Sequence, residues 1–117
     1  MIKLRLEVVF FSTSSQAEPV RAWLRGLSKQ EKICIGMDLK IVQFDWPIGL
    51  PLVKSLSNGI WELRSNLPGG KISRILFFIN SNTMILVNSF IKKSQKIPNR
   101  ELELARKRKK QWEQANE

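Results

Sequence analysis

The sequence predicts a single α+β domain over residues 1–117, ordered β-α-α-β-β-β-α, with an antiparallel-rich sheet and helices packed on one face of it. Three observations carry this expectation. Residues 3–11 alternate apolar and charged side chains, and residues 19–45 hold two stretches of helical periodicity in succession. Three short alternating segments then fall between residues 59 and 91, before Pro98 opens a last helix. Strands grouped together and flanked by helices are the pattern of layered α+β domains, and 117 residues support one core rather than two.

The opening strand sets Leu4, Leu6 and Val8 against Lys3, Arg5 and Glu7. In the first helix Pro19 suits the first turn, and Val20, Trp23, Leu24 and Leu27 recur at i, i+3, i+4 and i+7, with Gly26 near the end. Ser28 followed by Glu31 forms a capping box for a second helix, which Asp45-Trp46-Pro47 stops. Along it Ile33, Met37, Ile41 and Phe44 form one stripe, expected with Trp23 to face the core. The two helices should make a hairpin. Residues 47–58 are rich in Pro, Gly, Ser and Asn, and within them 50–53 can pair as a brief strand.

The strands GIWELRS (59–65), KISRILFFIN (71–80) and TMILVNSFI (83–91) lie close together, separated by Asn66-Leu67-Pro68-Gly69-Gly70 and by Ser81-Asn82, so they should form an antiparallel meander with Trp61 in the core. The last helix runs from Pro98 to about Trp112 with a basic run at 106–110, and residues 113–117 should fray.

Charge narrows the function. Twenty Lys and Arg against ten Asp and Glu give a net +10, which favours a polyanionic partner, nucleic acid first and an acidic protein second. Cys34 is the sole cysteine, so neither an intrachain disulfide nor a thiolate zinc cluster can form. The N-terminus has no signal-peptide pattern and no apolar run approaches ~18 residues, so a cytoplasmic location without membrane association is expected. The sequence has no His and no Tyr, which removes the commonest acid–base side chain and the phenol. Catalysis would rest on Lys, Arg, carboxylates or hydroxyls, with no metal or cofactor expected.

One constellation stands out. A hairpin symmetric about Gly69 sets Arg64 opposite Arg74, and strand periodicity puts Glu62 on their face. Two facing cations repel, so either a bound anion bridges them or Glu62 pairs with one; by repulsion alone, loss of Arg74 should not lower stability. Lys92, Lys93 and Lys96 follow the third strand of the meander, near the Gly69-Gly70 turn, as phosphate ligands or as solvated charges that keep an edge from aggregating. The terminal ARKRKK run reads as solvated surface. Trp46 and Trp112, beside charge at element ends, are candidates for base stacking.

The ordered set GIWELR, SRILFF, SFIKKSQKIP and ELELARKR, within residues 56–112, resembles the phage-derived HigB branch of the RelE/ParE toxins of type II toxin–antitoxin systems. That resemblance implies a RelE-like fold whose concave sheet floor cuts ribosome-bound mRNA through attack by the RNA's own 2′-OH. It places catalytic roles on Arg64, Arg74, Lys92 and Lys93. It implies RNA binding by Lys54, Lys71, Lys96 and Arg106, with Glu62 orienting an arginine. Its partners would be the ribosome, mRNA and a cognate helix-turn-helix antitoxin. Related functions on the same fold are ParE-like gyrase inhibition and noncatalytic nucleic-acid binding. Where relatives often carry Tyr beside the SRILFF arginine and His before the SFIKK phenylalanine, this chain has Ser73, Phe77 and Asn88.

Overall fold

The computed structural model describes residues 5–92 and 96–117, with the side chain of Lys92 outside the description. The elements are β1 (Glu7–Phe10), α1 (Pro19–Arg25), α2 (Lys29–Asp45), β2 (Val53–Ser55), β3 (Trp61–Asn66), a 3-10 turn (Pro68–Gly70), β4 (Ile72–Asn80), β5 (Thr83–Lys92) and α3 (Asn99–Ala115). They form one five-stranded sheet in the order β1-β5-β4-β3-β2. β1 runs parallel to β5 and every other pair is antiparallel. The expected α+β class and element order hold, and the brief strand before the meander exists, displaced from 50–53 to Val53–Ser55.

The helices do not share one sheet face. Along β4, Ile75 and Phe77 join the cluster that packs against α1 and α2, whereas Leu76 and Phe78 join a second cluster containing Ala105, Leu102 and Trp112 of α3. Side chains alternate along a strand, so α3 covers the face opposite the α1–α2 hairpin. The reason is visible in the strands: β4 and the middle of β5 are apolar at successive positions, and a sheet apolar on both faces needs cover on both.

A second correction concerns α2. Ser28 and Glu31 form the expected capping box, with Glu31 N–H donating to Ser28 Oγ at 3.2 Å and Ser28 N–H donating to Glu31 Oε1 at 2.9 Å. Yet the stripe read as core lies outside: Ile33 is 51% exposed, Met37 62%, Ile41 41% and Phe44 37%. Ile35 and Val42 are buried instead, with Leu39 and Trp46 packed beside them. The helix carries two apolar stripes at helical spacing, and spacing cannot say which one meets the sheet. Tertiary ties set the rotation. Lys71 Nζ donates to Glu31 Oε2 at 2.6 Å, and at the far end Gln43 Nε2 donates to Leu6 O at 2.9 Å while Gln43 O accepts from Arg5 N–H at 3.0 Å.

β5 bulges where it meets β4: Leu76 pairs with Asn88 and Phe77 with Leu86, leaving Val87 as the extra residue. The Val87 carbonyl accepts from Arg108 Nη1 at 2.7 Å, so a side chain of α3 satisfies the group at the break.

Candidate functional site

The β3–β4 register pairs Arg64 with Arg74 and Glu62 with Leu76, as a hairpin centred near Gly69 requires. The turn needs glycine there, since Gly69 and Gly70 have φ of 82° and 76°. Ile60 of this segment joins the α3 cluster while Leu63 joins the α1–α2 cluster, so alternation puts Glu62, Arg64 and Arg74 on the α3 side. Lys54 is the register partner of Glu62 on β2 and is exposed at the sheet edge.

Glu62 is the bridge. Its Oε1 lies 3.6 Å from Arg64 Nε and its Oε2 lies 3.7 Å from Arg74 Nε. The Glu62 side chain is 2% exposed and that of Arg74 is 3%, whereas that of Arg64 is 30%. Of the two readings of the facing arginines, the carboxylate bridge is the one observed, and it reaches both. Two guanidinium charges against one carboxylate leave a net positive charge, presented to solvent through Arg64. Arg74 Nε and Nη1 and Glu62 Oε2 have no hydrogen-bond partner among the described residues. Burial pulls the Arg74 pKa below the usual arginine range, Glu62 offsets part of that, and Arg64 adds to it.

The other candidate residues divide. The Lys92 backbone pairs with Ile72, two residues past the glycine turn. Lys93 lies outside the described residues, and Lys96 is exposed between β5 and α3. Lys71 is committed to Glu31 rather than to the arginine face. Arg106 Nη2 donates to Ser57 Oγ, and Lys109 Nζ donates to Asn58 O at 2.9 Å. The basic run is therefore not merely solvated: Arg106, Arg108 and Lys109 fasten α3 to the sheet and to the loop before β3, while Lys107 and Lys110 remain exposed.

Both tryptophans are half-buried, and each meets another ring edge-on. Trp46 meets Trp61 edge-on at 4.9 Å between ring centroids, and Trp112 meets Phe78 edge-on at 5.5 Å. Ser73 is buried opposite Ser65 on the α1–α2 side, and Phe77 belongs to that side's core. Asn88, buried, donates through Nδ2 to Glu101 O at 3.0 Å and to Glu101 Oε1 at 3.2 Å, tying β5 to the first turn of α3. None of these three positions brings a titratable group to the arginine face.

Sequence reading missed Phe90, the register partner of Arg74 and a member of the α3 cluster, and it missed Arg108. Strand alternation back from Lys92 would have found Phe90. Arg108 had no such signal, because its role depends on a bulge. A groove of about 440 Å³ is lined by Cys34, Met37, Asp38, Leu52 and Arg64 among others. Among the described residues no three His, Cys, Asp or Glu side chains cluster as metal ligands, and no helix is long and apolar enough to cross a membrane.

Fold and site together define a small basic α+β domain, compatible with the RelE-like fold, that carries a carboxylate-bridged arginine pair on one sheet face. The family model described as Phage derived protein Gp49-like (DUF891) matches residues 22–110, and the chain belongs to that family. The family in turn falls within the RelE/HigB-like toxin superfamily. No curated protein matches the chain.

Proposed function

We propose that this chain is the toxin of a type II toxin–antitoxin pair, a HigB-like endoribonuclease that cuts mRNA on the ribosome and is held in check by a cognate helix-turn-helix antitoxin. The observation that carries the reading is the Glu62 bridge, a carboxylate paired with two arginines on a sheet face of a chain with net charge +10, one of them partly exposed. Family membership supports it.

In this reaction the 2′-oxygen of a nucleotide attacks its own 3′-phosphorus, the P–O5′ bond breaks, and the products are a 2′,3′-cyclic phosphate and a 5′-hydroxyl. A base takes the 2′-proton, an acid protonates the leaving 5′-oxygen, and cationic donors hold the phosphoryl oxygens as charge builds. Arg64 is the donor that touches the phosphate. Arg74 acts through Glu62 as a positioning residue, since its own guanidinium is buried. Lys54 steers the RNA backbone from the sheet edge, and Lys92 and Lys93 carry the proton transfers, for which the chain has no imidazole or phenol. No metal or cofactor enters the scheme, because base, cation and acid suffice.

A noncatalytic RNA-binding role is the second reading, favoured by the absence of a titratable group at Ser73, Phe77 and Asn88. Primer extension on ribosome-bound mRNA with purified protein separates the two. Discrete cuts by the parent, and the same cuts reduced by about 10²-fold or more with Arg64→Ala, are expected. Ribosome binding without cuts would support the second reading and overturn the first.

A further inference from the structure

β2 and β3 are joined by a tight turn at residues 57–60, closed by Ile60 N–H donating to Ser57 O at 3.1 Å. Asn58 and Gly59 at its centre have φ of 57° and 76°, the paired positive values that Asn-Gly supplies in a two-residue hairpin loop. Backbone geometry alone explains that pair, but it does not explain what sits on it. Lys109 Nζ, reaching across from α3, donates to Asn58 O at 2.9 Å, and a Cβ on Gly59 would stand 2.9 Å from the same nitrogen. The ammonium is thus packed against the peptide bond that joins Asn58 to Gly59, and the Phe78 ring, 5.9 Å away, steadies it there. Arg106 Nη2 donates to Ser57 Oγ on the same turn, so a second cation of α3 stands beside the first.

We propose that Asn58-Gly59 is a self-modifying site, where the Gly59 backbone nitrogen closes on Asn58 Cγ and expels ammonia, promoted by Lys109. Asn58 is the only asparagine in the sequence followed by glycine, so here no side chain at the next position hinders closure. Gly59 N–H is exposed and has no acceptor among the described residues, which leaves it free to lose its proton. The Asn58 carbonyl shares its amide with that nitrogen, so a cation on the carbonyl draws electrons from the nitrogen and makes the N–H more acidic. The turn must swing for the nitrogen to face Cγ, and it stands exposed at the sheet edge beside the three-residue β2, where local opening is easy.

In the reaction the deprotonated nitrogen bonds to Cγ, and Lys109 favours the oxyanion that forms. The Cγ–Nδ2 bond then breaks, and Nδ2 takes a proton from solvent and leaves as ammonia. Water opens the five-membered imide that remains. Attack at Cγ gives an ordinary aspartate, whereas attack at the backbone carbonyl carbon gives an isoaspartate whose main chain runs through Cβ and Cγ. Either product sets a carboxylate near Lys109 and Arg106 where a neutral amide stood. Isoaspartate also lengthens the main chain by one atom, two residues before Ile60, which is fully buried in the cluster under α3.

The test ages the purified full-length protein at neutral pH and follows the peptide containing residue 58 by mass spectrometry, with electron-transfer fragmentation to tell isoaspartate from aspartate. Asn58 should convert faster than the strand asparagines Asn80 and Asn88. Lys109→Gln should slow it by about tenfold, the effect of a one-unit change in N–H acidity. Lys109→Arg keeps a cation and should convert at a rate nearer the parent's. In urea, where the Lys109 contact is gone, the parent and Lys109→Gln should convert equally. An equal or faster rate in Lys109→Gln, with its melting curve matching the parent's, would overturn the inference, because Lys109 would then be a clasp and not a promoter. Conversion of Asn58 no faster than that of Asn80 and Asn88 would overturn it too. No RNA or ribosome is present, so the outcome is separate from that of the cleavage reading.

Discussion

Arg64 and Arg74 face each other across β3 and β4, yet the Arg64 side chain is 30% exposed and that of Arg74 only 3%. Residues equivalent in sequence pattern therefore have different jobs. The outer arginine can meet a ligand and the inner one can only hold the bridge.

Arg74→Ala should destabilise the fold. Strand-pair repulsion alone implied no loss, but Glu62 reverses the sign, because removing Arg74 leaves a carboxylate buried beside one half-exposed partner. Breaking a buried ion pair from one side costs about 3–5 kcal/mol. Urea denaturation should show that loss, and Arg74→Met combined with Glu62→Leu should recover much of it. An Arg74→Ala protein as stable as the parent would refute the bridge.

Arg64→Ala should leave the fold nearly intact, since a half-exposed ion pair contributes roughly 1 kcal/mol or less. Its cleavage of ribosome-bound mRNA should fall by about 10²-fold or more, the effect of losing a preorganised donor to developing charge. Arg64→Lys should not restore the rate, because an ammonium lacks the planar fork that matches a phosphate. Single-turnover cleavage at matched melting temperatures decides this.

Acid should loosen the tie between α2 and the turn before β4. The Lys71 ammonium, with the Ser28 backbone and hydroxyl, holds the Glu31 carboxyl down at about 2 instead of the ordinary 4.5. A depressed carboxylate pKa contributes stability that is complete above the unfolded value and is lost as pH falls toward the folded one. Between pH 4.5 and 2 the parent should therefore lose stability more steeply than Glu31→Gln. Melting curves across that window with parallel slopes would contradict the assignment.

Gly36→Ala should raise stability by about 0.5–1 kcal/mol, since the position is helical, exposed and open around the missing Cβ. Thermal melts measure the gain directly.

Much of the fold was legible because its signals are local. The Ser28–Glu31 box, the glycine turn and strand alternation fixed α2, the β3–β4 hairpin and the Arg64–Arg74 register. What failed to show were relationships between distant elements. The α2 stripe was misassigned because its rotation depends on Lys71 and on Gln43 meeting the segment before β1. Lys71 looked like a phosphate ligand because nothing near it in sequence announces Glu31, forty positions away. Charge marked the arginine face, but not which arginine burial would remove from reach.

The pairing of β1 with β5 has a kinetic consequence. Their contact closes the longest loop in the sheet, whereas the β3–β4 hairpin closes across a short turn. Local pairings form first and distant ones late, so the arginine rows should assemble before β1 is captured. A chain emerging from the ribosome cannot complete its sheet until β5 has cleared the exit tunnel, and until then the edge of β1 stays unpaired.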